Sequence, residues 1–229
     1  MENEPSRAGE PRIPEAAGNE APTARTRLRR GVLRADYEPA TVRSIVDAAP
    51  ICHVAVDTTD GPLALPMAHG RIDDSLYLHG ALANSLLRSA LDTAMCATFT
   101  CLDGLVIARS PFHNSMNYRC AVVLGTPQLV DDEAEKLRGL RAVSEHVLPA
   151  WEHGRPPDAA ELRRTMLVSL SLQEASAKVR SGDPVDEPED LDGPWWAGTV
   201  PCETRWGSPV DSSDLATGIA VPEGIAAVG

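Results

Sequence analysis

The sequence predicts a mainly β fold with covering α-helices, and three observations carry that expectation. Short apolar runs alternate with polar positions at a period of two, as Cys52, Val54 and Val56 do against His53, Ala55 and Asp57. Turn signals such as Thr59-Asp60-Gly61 and Asp73-Asp74 separate these runs at hairpin spacing. Only brief stretches of helical period lie between them. An antiparallel meander with a few helices on its outside is therefore expected, closed or split into a β-barrel.

The elements follow in order. Residues 1–24 are rich in Pro, Glu, Ala and Gly with no apolar period, and are expected to be a disordered N-terminal tail. The ordered domain is placed at 25–206 and a C-terminal tail at 207–229. Arg25, Arg27, Arg29, Arg30 and Arg34 concentrate positive charge just before the first element, a run that is usually solvated. Pro39 suits the first turn of a helix whose apolar face is Val42, Ile45, Val46 and Ala49, and Pro50 ends it. A hairpin then runs through Cys52 to Val56 and back through Leu63 to Ala68, and Leu76 to Leu78 continue the meander to His79-Gly80. Leu82, Leu86, Leu87 and Leu91 mark a short helix ahead of a strand from Met95 to Thr100. Asp131 or Asp132 caps a longer helix carrying Leu137, Leu140, Val143 and Val147, and Asp158 with Glu161 has the capping-box form. Met166 to Leu172 alternates as a half-buried strand, and an acidic, Pro-containing loop leads on to Trp195-Trp196.

Composition excludes several classes of function. Aromatic residues make up only 4% of the 229, so the core is built from Leu, Val, Ile and Ala, and platforms for stacking bases are scarce. A formal net charge of −12 repels phosphate backbones and anionic membranes, so neither nucleic acid nor a membrane is expected as a partner. No apolar run approaches the ~20 residues that span a bilayer, and a cytoplasmic protein is expected. The five cysteines are an odd number and widely spread, which fits reduced thiols. Cys96 and Cys101 fall on opposite faces of any strand that contains both, so they do not form a metal pair.

One stretch is denser in chemistry than the rest. From Asp103 to Gly125, two apolar runs flank Arg109, Ser110, His113, Asn114, Ser115, Asn117, Tyr118 and Arg119. Side chains of this kind cost free energy when buried unpaired, so they must bond to one another, to backbone or to a ligand.

Several motifs in one order carry a resemblance. The segments from Arg34 to Tyr37, LYLHGA from Leu76, DGLVIARSPFHNSMNYR from Asp103, SAKVRSGDP from Ser176 and WAGTVP from Trp196 resemble the pyridoxamine 5′-phosphate oxidase-like flavin-binding family. More narrowly, they are similar to its nitroimidazole-resistance branch. The resemblance covers roughly residues 28–201 and implies an FMN-binding split β-barrel that forms a homodimer, with FMN in the groove between subunits.

The resemblance also implies where FMN binds. Its ring would lie along Ala64 to His69, drawing on Pro66, Met67, Ala68 and His69. Its phosphate would sit around Leu78, His79, Asn84 and Ser85, and Trp196 would stand beside the flavin. Relatives carry a Ser-Arg pair at the phosphate position, whereas Asn84-Ser85 stand here, and Arg88 one turn on could reach back instead. His69 could touch flavin or substrate, and either His69 or His79 could ligate haem iron. Trp151 and Trp206 read as packing residues or exposed anchors.

The implied activity is an FMN-dependent oxidoreductase that transfers hydride or electrons to a small-molecule substrate, with nitroaromatic- or quinone-like acceptors among the candidates. The vitamin oxidase itself is not expected, because its C-terminal arginine-histidine signature is missing after Trp196. The alternatives are haem binding in the same barrel and a non-enzymatic flavin carrier or sensor.

Overall fold

A computed structural model describes residues 20–227. The expected disordered tail, apart from residues 20–24, lies outside the described residues. The elements in chain order are β1 (Ala35–Asp36), α1 (Pro39–Ala48), β2 (Cys52–Thr58), β3 (Gly61–Met67), β4 (His69–Ile72), β5 (Ser75–Ala81), α2 (Ser85–Asp92), β6 (Met95–Ile107), β7 (Ser115–Gly125) and β8 (Gln128–Leu129). They continue with α3 (Glu133–Val147), α4 (Ala159–Arg164), β9 (Thr165–Ser171), β10 (Ala175–Arg180), β11 (Gly198–Pro201) and α5 (Glu223–Ala226).

The strands form two antiparallel sheets. The larger has the order β1-β10-β7-β6-β2-β3, with β11 pairing the far half of β6, and the smaller has the order β4-β5-β9-β8. This is a split β-barrel. Its core holds Val54, Leu76, Leu78, Leu86, Leu87, Met95, Phe99, Val123, Val168 and Leu170, closed at one end by Val42, Ile45 and Val46 of α1. The face of α1 read from its spacing is the face that the barrel buries.

Local chemistry sets the turns and caps. Thr58 Oγ1 donates to Gly61 O at 2.6 Å, and Gly61 takes φ 109°, which closes the β2–β3 hairpin. Asp73 adopts φ 51° in the tight turn between β4 and β5. Asp132 caps α3, and Asp158 with Glu161 forms a complete capping box on α4, both as expected.

Two expectations are corrected. The single strand from Leu63 to His69 is two strands in different sheets: β3 ends at Met67, Ala68 carries the chain across, and β4 begins at His69. The strand expected to be half-buried, β9, is covered on both faces. Val168 and Leu170 face the barrel core, while Leu167 on the opposite face packs with Tyr77, Val130 and Val143 under α3. Periodicity within β9 could not reveal a helix supplied by another part of the chain.

Helix α3 sits unusually close to the smaller sheet. A Cβ on Gly70 would come within 2.4 Å of the backbone of Ala142 and Val143, and one on Gly139 within 2.7 Å of the Tyr77 ring. Gly70 lets sheet and helix meet backbone to backbone, and Gly139 makes room for the Leu167 and Tyr77 side chains beneath α3.

Candidate functional site

A cleft opens where α3 runs out over the outer face of the smaller sheet. It encloses about 480 Å3 and is lined by Ala68, His79, Leu140, Val143, Ser144, Val147, Leu148, Ala150, Trp151, Pro157 and Thr165. His79 is its one imidazole. Strand β4 pairs with β5 only as far as Leu78, so beyond that point His79 has a strand on one side alone, where it stands opposite Leu167 of β9. Alternation along β5 sends Leu76 and Leu78 into the barrel and Tyr77 and His79 outward, toward α3. The His79 ring is exposed in the single chain, yet the apolar surroundings lower its pKa, so the imidazole is neutral at ordinary pH.

His69 has a different setting. It is wholly buried, its Nε2 donates to Val46 O at 2.9 Å, and its ring lies 4.2 Å from that of His146 at a tilt of 44°, while His146 Nε2 donates to Ala49 O at 2.8 Å. The two rings tie down carbonyls at the C-terminal end of α1. Burial lowers the pKa of His69 to about 4. With Nε2 occupied and the ring inside the core, His69 does not face the cleft, although its Nδ1 is left without a partner.

The remaining residues expected to bind cofactor divide by position. Ala68 lines the cleft beside His79. Pro66 is exposed and Met67 half-buried on the edge strand β3, and the Leu78 side chain is consumed by the core, leaving only its backbone available. Asn84 is the N-cap of α2: its Oδ1 accepts from Leu87 N at 3.0 Å, while its Nδ2 forms no hydrogen bond among the described residues. Ser85 and Arg88 are exposed on that helix, and among the described residues Arg88 forms no ion pair. Leu82, expected within the helix, precedes it and is exposed. Trp196 is 64% exposed, folded over Gly198, and does not line the cleft.

The dense central stretch largely satisfies itself. Arg109 pairs with Asp186 at 2.9 Å, Arg119 with Asp103 at 2.8 Å, and Asn114 Oδ1 accepts from Ala108 N at 2.8 Å. Arg180 donates to Asn117 Oδ1 and, through Nη2, to Asp183 O at 3.1 Å. These contacts pin the acidic loop across the end of β7, so its polar inventory is mainly architectural.

Sequence reasoning missed most of the cleft wall. Leu140, Val143 and Val147 carry the apolar period of α3, a signal that marks a buried face and does not say what is buried against it. Trp151, read as packing or an anchor, lines the opening. A family model described as pyridoxamine 5′-phosphate oxidase matches residues 38–179. This chain belongs to that family.

Within the pyridoxamine 5′-phosphate oxidase family, two similar structures extend over nearly the whole chain. The flavocytochrome Anf3 from Azotobacter vinelandii is 37% identical, with TM-score 0.88 over 92% of this chain and 99% of that one. An FAD- and haem-binding protein from Mycobacterium smegmatis is 30% identical, with TM-score 0.80 over 85% of this chain and 97% of that one. A nitroimidazole-resistance-like protein from Bacteroides thetaiotaomicron shares the fold at 21% identity and TM-score 0.54, covering 63% of this chain and 86% of that one. No curated protein matches the sequence. Among the described residues, no helix is long and apolar enough to cross a membrane.

Proposed function

We propose that this chain is a redox protein binding both a flavin and a haem, and that the His79 imidazole would hold the haem in the cleft under α3. The observation that carries this reading is a single neutral imidazole in a cleft of about 480 Å3 whose lining is otherwise apolar except for Ser144 and Thr165. That is the donor set and the wall chemistry a haem requires, and the volume is of the size that cofactor pockets have, roughly 300–1,000 Å3. The flavocytochrome at 37% identity and the FAD- and haem-binding protein at 30% support it. His69, the other candidate ligand, is spent on α1.

The two groups, if held by one chain, would supply two-electron and one-electron redox chemistry respectively. The chain's own contribution is placement. The β5–β9 ladder fixes His79, Leu140, Val143, Val147 and Leu148 supply the apolar wall beside it, and those surroundings favour the neutral imidazole.

The family resemblance implies FMN, but we read the flavin as FAD. The usual Ser-Arg pair is absent, so a terminal phosphate lacks its usual charged partner at Asn84-Ser85. A dinucleotide gains contacts beyond that phosphate, and one similar protein binds FAD. We place the flavin between two copies of the chain, along the exposed edge strand β3.

An absorbance spectrum of the purified protein tests the reading. Flavin bands and a Soret band together are expected, with His79→Ala removing the Soret band and leaving the flavin. Flavin bands alone in protein made with ample haem would overturn the haem site and leave a flavin oxidoreductase. Released cofactor separates FAD from FMN by mass. Reduction by NADH or NADPH, followed by turnover of a quinone or nitroaromatic, separates an enzyme from a carrier.

A further inference from the structure

The segment after β11 behaves unlike any other part of the chain. Cys202 N makes a last bond to the barrel, donating to Asp103 O at 3.0 Å. Every residue from 201 to 221 is then exposed. An extended segment lying on its own body hides alternate side chains, because successive residues point to opposite sides. This one hides none. Its hydrogen bonds are local, with Leu215 N donating to Ser212 O, Ile219 N to Ala216 O and Arg205 to Glu203. Contact with the body resumes only beyond it: Pro222 and Ile225 are half-buried, and Gly224 lies near His153 and Pro149. Residues 203–221 are therefore a strap tied at both ends and standing clear of the subunit between them.

The composition of the strap does not suit water. Trp206 is 59% exposed, Val210 93% and Ile219 58%, with Leu215 and Val221 also uncovered. At its root, Met116, Leu105 and Val200 are direct cross-strand neighbours on β7, β6 and β11, and all three are exposed, as is Leu102 beside them. An apolar row thus runs into an apolar strap, with none of the described residues over either. Charge points the same way. Asp211 on the strap has no cationic partner among the described residues, while Arg27, Arg29, Arg30 and Arg34, grouped around the exposed Val32 and Leu33, form no ion pair there either.

We infer that the strap embraces a second copy of this chain, residues 203–221 of each subunit closing over the other. This rests on the dimer proposed for the flavin site and adds a claim about what holds it. A surface that is apolar with acidic points on the strap, and apolar with basic points on the body, is complementary between two identical subunits in a way that it is not within one. Nineteen residues span at most about 60 Å when fully extended, and even with the two turns at 212–219 the strap has length to cross a neighbouring subunit's flank. Exchange of such segments is a common route to symmetric dimers.

Arg205 is the sole basic side chain after Arg180, so trypsin has a single site in the strap. In the full-length holoprotein, release of the fragment 206–229 should be at least tenfold slower in the dimer than after dilution to monomer, followed by mass spectrometry. The double variant Val210→Asp/Ile219→Asp should raise the dimer dissociation constant tenfold or more, with an unchanged far-ultraviolet circular dichroism spectrum. A dimer cut at Arg205 as fast as the monomer, or a double variant that dimerises as tightly as the parent, overturns the strap while leaving the dimer standing. Full-length protein that is monomeric at every concentration with cofactor bound overturns the dimer itself, and the strap with it.

Discussion

His69 and His79 lie on neighbouring strands of one small sheet, and the direction in which each side chain points sets its chemistry. His69 points into the core, where its pKa is lowered to about 4 by burial, against about 6.5 in an unfolded chain. Between those values the unfolded state binds the extra proton. The stability due to a neutral His69 is therefore fully present above about pH 6.5, falls as the pH drops toward 4, and is gone below that. For a ring with no exposed surface the loss is on the order of 3 kcal/mol. Urea denaturation at pH 7.5, 6 and 5 should show it. The variant His69→Leu should be less stable at pH 7.5, having lost the bond to Val46 O, but should show a shallower decline with acid. An unchanged pH dependence in that variant would mean that another group carries the titration. His79 points outward, and its replacement should leave the stability of the haem-free protein nearly unaltered while removing the haem.

Among the elements, α3 and α2 each make a claim that one substitution can check. Gly70→Ala places a Cβ within 2.4 Å of α3 backbone, so the helix must move off the sheet. A cost of about 2–3 kcal/mol is expected, together with weaker haem retention, because the same helix supplies Leu140, Val143 and Val147 to the cleft. Thermal unfolding and a haem-transfer assay would read the two effects. A normal melting temperature would contradict the backbone contact. In α2, Asn84→Ala removes the cap and should cost about 1 kcal/mol in stability. Flavin affinity should stay within twofold of the parent, because the proposed dinucleotide gains contacts beyond a phosphate at this position. A tenfold loss of flavin affinity at unchanged stability would show instead that Asn84 touches the phosphate.

At the scale of the whole molecule, the two cofactors should respond differently to dilution. The cleft with His79 is built by one chain, whereas the flavin groove is proposed to need two. Light scattering at micromolar concentration should give a dimer. Dilution below its dissociation constant should release flavin, seen as a rise in flavin fluorescence, while the Soret band persists. Simultaneous loss of both would place the haem at the subunit interface as well.

Much of the fold was legible in the sequence for one physical reason: local patterns report local structure. The alternation in β2, the apolar face of α1, the Asp73-Asp74 turn and the capping box at Asp158 each depend on residues a few positions apart, and the ordered motifs from Arg34 to Pro201 pointed to the family. What the sequence could not determine depends on partners distant along the chain. That the chain changes sheets at Ala68, that α3 covers β9, that Asp186 crosses to Arg109, and that His69 faces inward while His79 faces the cleft are all consequences of long-range packing. Two histidines that look alike in sequence differ because one ring is enclosed by α1, Phe99 and His146, and the other opens onto the unfilled end of a helix–sheet interface. Only the tertiary structure brings those walls together.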